Sequence, residues 1–221
     1  MKEAPQYVAV IGDLVGSRAM EARRRAEVQK TFENALTKVN LAYAEDIAAT
    51  FLVTAGDETQ GLLKRVHRCY DVVREIEMAI APARIVFGLG YGGLTTELKE
   101  VAVGMDGPAF HFAREALEKA KTERKAYGKS IHREVRFRSE NEGVDKVVNA
   151  LFLSLSVMKS HWTEKQTEVL YLLERGSSQS DISVSQSIPM SNISRTIDVA
   201  HFREYELVAD SLREYLASSP K

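Results

Sequence analysis

Two aspartates of the chain are placed where a pair of carboxylates could bind a cation. Asp13 follows the short apolar run 7–11, and Asp57 lies in the turn Gly56-Asp57-Glu58 between two further apolar runs. A hard cation such as Mg²⁺ binds oxygen ligands of this kind and keeps some of its water. Two such cations can hold the attacking and the leaving oxygen of a phosphoryl or nucleotidyl transfer. For each aspartate alone, the simpler alternative is that its side chain stabilises the adjacent turn.

The elements that must position these aspartates follow a known order. Apolar, β-branched runs predict four strands, and apolar residues at three- and four-residue steps predict two amphipathic helices among them. The order strand, helix, strand, strand, helix, strand is that of the ferredoxin-like unit. We therefore expect an α+β fold, with an antiparallel sheet, helices on one face and both carboxylates at one edge. The predicted strands cover residues 7–11, 51–54, 59–63 and 84–90, and the helices carry apolar residues from 28 to 43 and from 66 to 80.

Local signals extend this outline. Ser17 is a candidate cap for the first helix, and the glycines at 88, 90, 92 and 93 indicate close approach of another backbone near the end of the fourth strand. Gly107-Pro108 opens a third helix, because proline is tolerated in a first turn. The expected elements after Gly107-Pro108 are a helix over 109–121, a polar loop over 122–129, an edge strand over 134–138 and a helix over 144–158.

The last part of the chain has a different pattern, typical of short helices. Thr163 and Gln166 have the spacing of a capping box. A short helix over 180–186, a turn over 187–190 and a helix from Ser191 or Asn192 form a helix-turn-helix layout. We predict an α/β domain over 1–142, a linker helix over 143–160 and an all-α helix-turn-helix domain over 161–221, with a last helix over 206–217.

Small polar residues and an arginine at the start of the second helix of that layout are suited to contact DNA. Residues 151–221 contain seven Lys and Arg against nine Asp and Glu, whereas DNA-binding domains are usually basic. A helical protein–protein or dimerisation module is therefore the open alternative. The DNA-binding candidates are Ser191, Asn192, Ser194 and Arg195, and the candidates for a dimer contact in the last helix are Leu207, Val208, Leu212 and Leu216.

Four segments carry glycines and acids in a motif-like order: Val10–Ser17, Thr54–Asp57, Arg84–Gly92 and Gly107–Arg114. Together they resemble the motifs of class III nucleotide cyclases, over roughly residues 6–121. The resemblance implies Asp13 and Asp57 as metal ligands, Mg²⁺ as the metal, a nucleotide as ligand and a homodimer as the assembly. It also implies nucleotide contacts from a set on the same motifs, namely Gly16, Ser17, Gly56, His111 and Arg114.

The chain departs from the cyclase pattern at positions where those enzymes use other side chains. Val53 stands where they place a base-selecting Lys, His111 where they place a ribose-positioning Asn, and Glu115 where they place a transition-state Arg. Arg114 is adjacent, but one residue on a helix is a rotation of about 100°. Since stabilisation of developing charge is usually the largest catalytic contribution, we expect nucleotide binding with little or no cyclisation.

The whole chain also resembles the bacterial SatD family. The likeness includes the stretch Gly56-Asp57-Glu58-Thr59-Gln60-Gly61 and the helix-turn-helix that follows the N-terminal region. This resemblance implies an architecture rather than a mechanism.

Composition limits the remaining function classes. The net charge is −1, so a DNA contact would need a local patch, and one cysteine excludes a disulfide framework. The N-terminal apolar run is too short for a signal peptide and no stretch has the length of a membrane span, so a cytoplasmic protein is expected. Three hypotheses remain: a transcription regulator that senses a nucleotide, a divergent nucleotidyl cyclase or phosphotransferase, and a non-catalytic interaction protein.

Overall fold

A five-stranded mixed sheet forms the centre of the protein, for which the computed structural model describes residues 4–54, 56–127 and 134–218. The strand order is β2-β3-β1-β4-β5. Neighbours among the first four strands are antiparallel in the ferredoxin-like arrangement, as predicted. The edge strand β5 pairs with β4 in parallel, so the expectation of a wholly antiparallel sheet is wrong. The strands are β1 (Tyr7–Leu14), β2 (Ile47–Val53), β3 (Glu58–Leu63), β4 (Ile85–Gly92) and β5 (Val135–Arg138).

Helices cover both faces of the sheet, and not one face as the sequence suggested. Successive side chains of a strand point to opposite faces. Accordingly, Val8 and Val10 lie in one apolar cluster, while Ala9 and Ile11 lie in a second cluster on the other side. The helices in the described residues are α1 (Ala22–Ala42), α2 (Cys69–Ile80), α3 (Pro108–Tyr127), α4 (Glu142–Ser160), α5 (Glu164–Glu174), α6 (Gln179–Gln186), α7 (Met190–Val199) and α8 (Phe202–Ser218).

The helix α3 packs directly on the backbone of β4. A Cβ atom added to Gly88 would lie 2.0 Å from the carbonyl oxygen of Ala113, and one added to Gly90 would lie 2.1 Å from that of Ala109. Both distances are far shorter than a van der Waals contact, so only glycine fits. The close approach predicted for the glycines at 88, 90, 92 and 93 is confirmed at the first three, and it fixes the position of α3 on β4. At Gly93 it is wrong, because an added Cβ would lie 3.7 Å from the end of the Gln6 side chain and near no backbone.

Asparagine side chains complete the two edges of the sheet. The amide of Asn40 on α1 donates to the carbonyl oxygen of Phe51 at 2.8 Å and accepts from its N–H at 2.8 Å. On the opposite edge, Asn149 on α4 makes the same two bonds with Phe137, at 2.8 and 2.9 Å. Edge strands leave backbone groups unpaired, and these amides satisfy one residue on each side.

Several predicted boundaries move once tertiary contacts are present. The strand β1 continues to Leu14, so Asp13 lies within it. Ser17 begins a short 3₁₀ turn and makes no cap for α1, which starts at Ala22. The predicted loop 122–129 is helical as far as Tyr127, and its last two residues lie outside the described part. The ion pair between Glu123 and Arg136 of β5 helps to hold this extra turn of α3.

The tail helices follow the predicted layout with small shifts. Thr163 and Gln166 form the expected capping box, while α7 begins at Met190 and α8 at Phe202, both earlier than predicted. Leu212 and Leu216 are fully buried in the same apolar cluster as the sheet. The prediction that they form a dimer contact is therefore wrong. None of the described helices is both long and apolar enough to cross a membrane.

Candidate metal and nucleotide site

The two candidate metal ligands lie at the same end of neighbouring strands. Asp13 on β1 pairs across the sheet with Glu58, the first residue of β3. Asp57 immediately precedes Glu58, and its carbonyl oxygen accepts a hydrogen bond from the backbone N–H of Leu14 at 3.0 Å. The turn between β2 and β3 is thereby fixed against the end of β1, and acidic residues from both strands gather there.

A lysine from α3 contacts the first of these carboxylates. The Nζ of Lys121 lies 3.3 Å from Oδ2 of Asp13, whose side chain is 26% exposed. Burial raises the pKa of Asp13; Lys121 opposes this shift, and the charges of Asp57 and Glu58 add to it.

The second carboxylate is held by a turn that follows β1. The buried hydroxyl of Ser17 donates a hydrogen bond to Oδ2 of Asp57. Gly16 reaches this turn with a φ of 74°, in the left-handed region that favours glycine. Arg25 of α1 donates to the carbonyl oxygen of Ser17 at 3.1 Å. The role of Ser17 is thus to position Asp57 and not to cap a helix.

The predicted nucleotide-binding residues of α3 have separate partners. Arg114 donates two hydrogen bonds to Glu58, at 2.6 and 2.8 Å, and this contact raises the pKa of Arg114. His111 is 63% exposed at its side chain and pairs with Asp106 at 2.7 Å. Arg114 therefore contacts the acidic end of the sheet, whereas the partner of His111 is Asp106.

The donor atoms at this end suit a hydrated hard cation better than a cation enclosed by protein. Within the described ranges, no group of three or more His, Cys, Asp or Glu side chains is arranged to hold a metal. Mg²⁺, however, is commonly bound through one or two carboxylates and completes its octahedron with water and substrate phosphates. Asp13 and Asp57 fit that mode of binding.

Two of the positions where the sequence departs from the cyclase motifs, Val53 and Glu115, have contacts of their own. Val53 is partly buried and packs against the main apolar cluster. Glu115 lies 3.8 Å from Arg138 of β5. It borders a groove of about 570 Å³ between α3, β5 and α4, which the sequence did not predict. Other residues that line this groove are Lys119, Arg136, Phe137, Asn149 and Leu153.

Sequence reasoning missed Lys121 and gave no role to Glu58. One signal was available for Lys121. It follows Arg114 by seven residues, which on a helix places both on the same face. The pairing of that face with Asp13 and Glu58 depends on how α3 crosses the sheet, and this was not visible in the sequence.

In the tail, all four candidate DNA-contacting residues are exposed. They lie on α7, while Ile193 and Ile197 of the same helix are buried against its neighbours. Asn192 and Arg195 also line a shallow cavity of about 320 Å³. The exposed residues are Ser191, Asn192, Ser194 and Arg195.

These features define an α+β protein with a ferredoxin-like sheet, an acidic end of that sheet and a helical tail. Residues 7–202 match the SatD family, and the chain belongs to that family. No curated protein matches the chain.

Several solved structures are similar to part of the chain. A guanylyl cyclase is 15% identical with a TM-score of 0.40, and the match covers 57% of this chain and 80% of that one. A bacterial light-regulated adenylyl cyclase is 10% identical with a TM-score of 0.44, over 60% of this chain and 74% of that one. The catalytic core of a rhodopsin-guanylyl cyclase in complex with ATPalphaS is 14% identical with a TM-score of 0.39, over 59% and 87%. Since these TM-scores are below 0.5, the description of the fold rests on its strand order and packing.

Proposed function

We propose that this protein binds a metal–nucleotide complex at the acidic end of its sheet and acts as a sensor rather than as an efficient enzyme. The observation that carries the proposal is the placement of Asp13 and Asp57 at one end of adjacent strands. A bound Mg²⁺ would supply positive charge to phosphate oxygens. The nucleotide-contacting residues in this proposal are Gly16, Ser17, Gly56, His111 and Arg114.

The residues of the chain have distinct tasks in this proposal. Ser17 holds the Asp57 carboxylate in place, and the left-handed Gly16 lets the turn approach a phosphate group closely. Arg114 is 46% exposed at its side chain. Its guanidinium, oriented by Glu58, can bind a phosphate group from the α3 side, because its planar N–H donors can reach two phosphate oxygens at once. His111 is a further, more exposed contact.

The proposal of sensing without turnover rests on Val53 and Glu115. Neither provides a cation where charge would develop during cyclisation, and the carboxylate of Glu115 lies near Arg138 instead. The alternative, a divergent nucleotidyl cyclase or phosphotransferase, uses the same two aspartates. Product formation is what distinguishes it from a sensor.

We further propose the tail, residues 161–221, as the output module, joined through the linker helix 143–160 to a sensing domain over 1–142. The exposed polar residues of α7 support contact with DNA, with α6 and α7 as the helix-turn-helix pair. Because the tail is not basic, we expect weak binding by one copy, and specific binding would need a homodimer that presents two such helices. A protein–protein module is the alternative for the same helices.

A thermal-shift screen tests the nucleotide proposal. We expect Mg²⁺ with ATP or GTP to raise the melting temperature of the wild-type chain, because a ligand that binds only the folded state stabilises it. The increase should be lost in Asp57→Asn. Asp198→Asn, which makes the same change at an exposed site on α7, should retain it. An absence of any shift across a nucleotide panel would instead support the interaction-protein hypothesis.

A further inference from the structure

Three charged side chains of α3 follow one another along the acidic end of the sheet. Arg114 bonds to Glu58, and Lys121, two turns later, contacts Asp13. Glu118 lies between them in sequence and is 3.3 Å from the same Lys121 nitrogen. The ammonium group of Lys121 therefore lies between an acid on the sheet and an acid on its own helix.

Acidic side chains outnumber basic ones at this end when no metal is present. Asp13, Asp57, Glu58 and Glu118 supply four negative charges when ionised, and Arg114 and Lys121 supply two positive charges. The carboxylate of Asp13 is partly buried and lies near like charges, which raise its pKa together with its burial. Lys121 is 32% exposed at its side chain, so its ammonium is only partly hydrated where it meets Asp13.

We infer that Lys121 is a tethered counter-cation that competes with a divalent metal ion for Asp13. The inference rests on the proposed metal–nucleotide function and concerns the same site. Two cations cannot both contact Oδ2 of Asp13 without strong repulsion, so a metal ion at that oxygen must displace the ammonium. The long, flexible stem of lysine allows this while α3 remains packed on β4.

The competition has a direct consequence for the metal-free protein. Lys121 neutralises Asp13 when no metal is present, and the sheet end is stable in that state. The same contact lowers the affinity for metal, because binding must first break the ion pair.

Manganese binding to the full chain tests this inference. Mn²⁺ accepts the same oxygen ligands as Mg²⁺, and the free ion is measured by electron paramagnetic resonance. We expect Lys121→Met to bind Mn²⁺ roughly tenfold more tightly than wild type, as expected for loss of one nearby positive charge at a partly exposed site. Lys119→Met is the matched control. It removes the same charge from the same helix, but two positions away, where the side chain lines the groove beside β5.

Further variants locate the effect. Lys121→Gln removes the charge with a smaller change in polarity and should reproduce the tighter binding if Lys121→Met folds poorly. When Asp13 is already replaced, Lys121→Met should no longer tighten Mn²⁺ binding, so Asp13→Asn/Lys121→Met should bind Mn²⁺ no more tightly than Asp13→Asn. Without metal, Lys121→Met should melt below wild type, and saturating Mn²⁺ should raise its melting temperature by more than it raises that of wild type.

The outcomes separate the inference from the function on which it rests. Tighter binding in Lys121→Met and Lys121→Gln, absent in Lys119→Met, supports competition, including the case in which wild type binds no detectable Mn²⁺. Equal, measurable affinities in wild type and both Lys121 variants would overturn the competition and leave the metal site intact. No binding by any variant would overturn both. A gain that persists after Asp13→Asn would also overturn the inference, because the competition would not be at Asp13.

Discussion

The hydroxyl oxygens of Tyr70 on α2 and Tyr205 on α8 lie 2.5 Å apart, although the two buried residues are 135 positions apart in the sequence. Tyr70 also donates to Glu174 of α5 at 3.3 Å, and Glu174 accepts from the buried Arg74 of α2 at 3.0 Å. Nearby, Arg213 of α8 bonds to Asp71 of α2 at 2.9 Å. The tail is thus joined to the sheet region through a polar network.

This network predicts that the tail and the sheet unfold together. Glu174→Gln should lower the free energy of unfolding by about 3 kcal/mol, because it removes the nearer of the two carboxylates that face the buried guanidinium of Arg74 and leaves Glu77 at 3.8 Å. Glu168→Gln, on an exposed face of α5, should change it by less than about 0.5 kcal/mol. Urea unfolding followed by fluorescence of Trp162 and by circular dichroism should give coincident transitions. Separate transitions would contradict the coupling.

A second prediction concerns pH and Glu206 on α8. Burial, with help from Asp210 and Glu174, raises the pKa of Glu206 above its ordinary value of 4.5. The folded state therefore holds this proton more tightly than the unfolded state, and stability falls as pH rises through the folded pKa. Glu206→Gln should be more stable than wild type at pH 7, and this advantage should vanish below pH 4.5. An equal gain in stability from Glu206→Gln at pH 4 and at pH 7 would argue against a raised pKa of Glu206.

The packing of α3 on β4 gives a third prediction. Gly90→Ala should lower the free energy of unfolding by about 3 kcal/mol or more, because its Cβ would meet the backbone of Ala109 and force α3 away from the sheet. Gly93→Ala is the control, since its nearest neighbour would be 3.7 Å away, at the end of the Gln6 side chain. Similar melting temperatures for both variants would show that α3 is not packed as described.

A fourth prediction concerns turnover. Incubation with Mg²⁺ or Mn²⁺ and either ATP or GTP should yield little or no cyclic nucleotide, because Val53 and Glu115 provide no positive charge. Product analysis by mass spectrometry is the measurement, with Asp57→Ala as the blank. Robust cyclic nucleotide in wild type that is lost in Asp57→Ala would favour the enzyme over the sensor.

The fifth prediction concerns α7. If the tail binds DNA, Arg195→Ala should weaken binding by about 1–3 kcal/mol where the side chain reads a base. If Arg195 touches only phosphate, the loss should be uniform across sequences and the salt slope should fall by about one. Lys165→Ala, exposed on α5, should change neither quantity. Fluorescence anisotropy at several salt concentrations measures both, and equal effects of the two variants would remove Arg195 from the interface.

Local patterns predicted much of the fold, whereas long-range partners could not be predicted. The order of the first four strands and the close approach of another backbone to Gly88 and Gly90 followed from apolar runs and glycine positions, but not that this backbone is α3. The parallel strand β5 and the helical turn before Tyr127 did not, because both depend on contacts between distant segments. The same holds at the site, since the two aspartates were recognisable but the contact of Lys121 with Asp13 depends on the path of α3.

The most direct test of the central proposal is to locate a bound metal. Crystals of the full chain grown with Mn²⁺ and a non-hydrolysable nucleotide should show an anomalous peak about 2.1 Å from carboxylate oxygens of both Asp13 and Asp57, the usual distance for a small divalent cation. The nucleotide phosphates should lie next to that peak, near the turn that contains Gly16 and Ser17. Nucleotide density elsewhere, or bound nucleotide with no metal at these two carboxylates, would contradict the proposal.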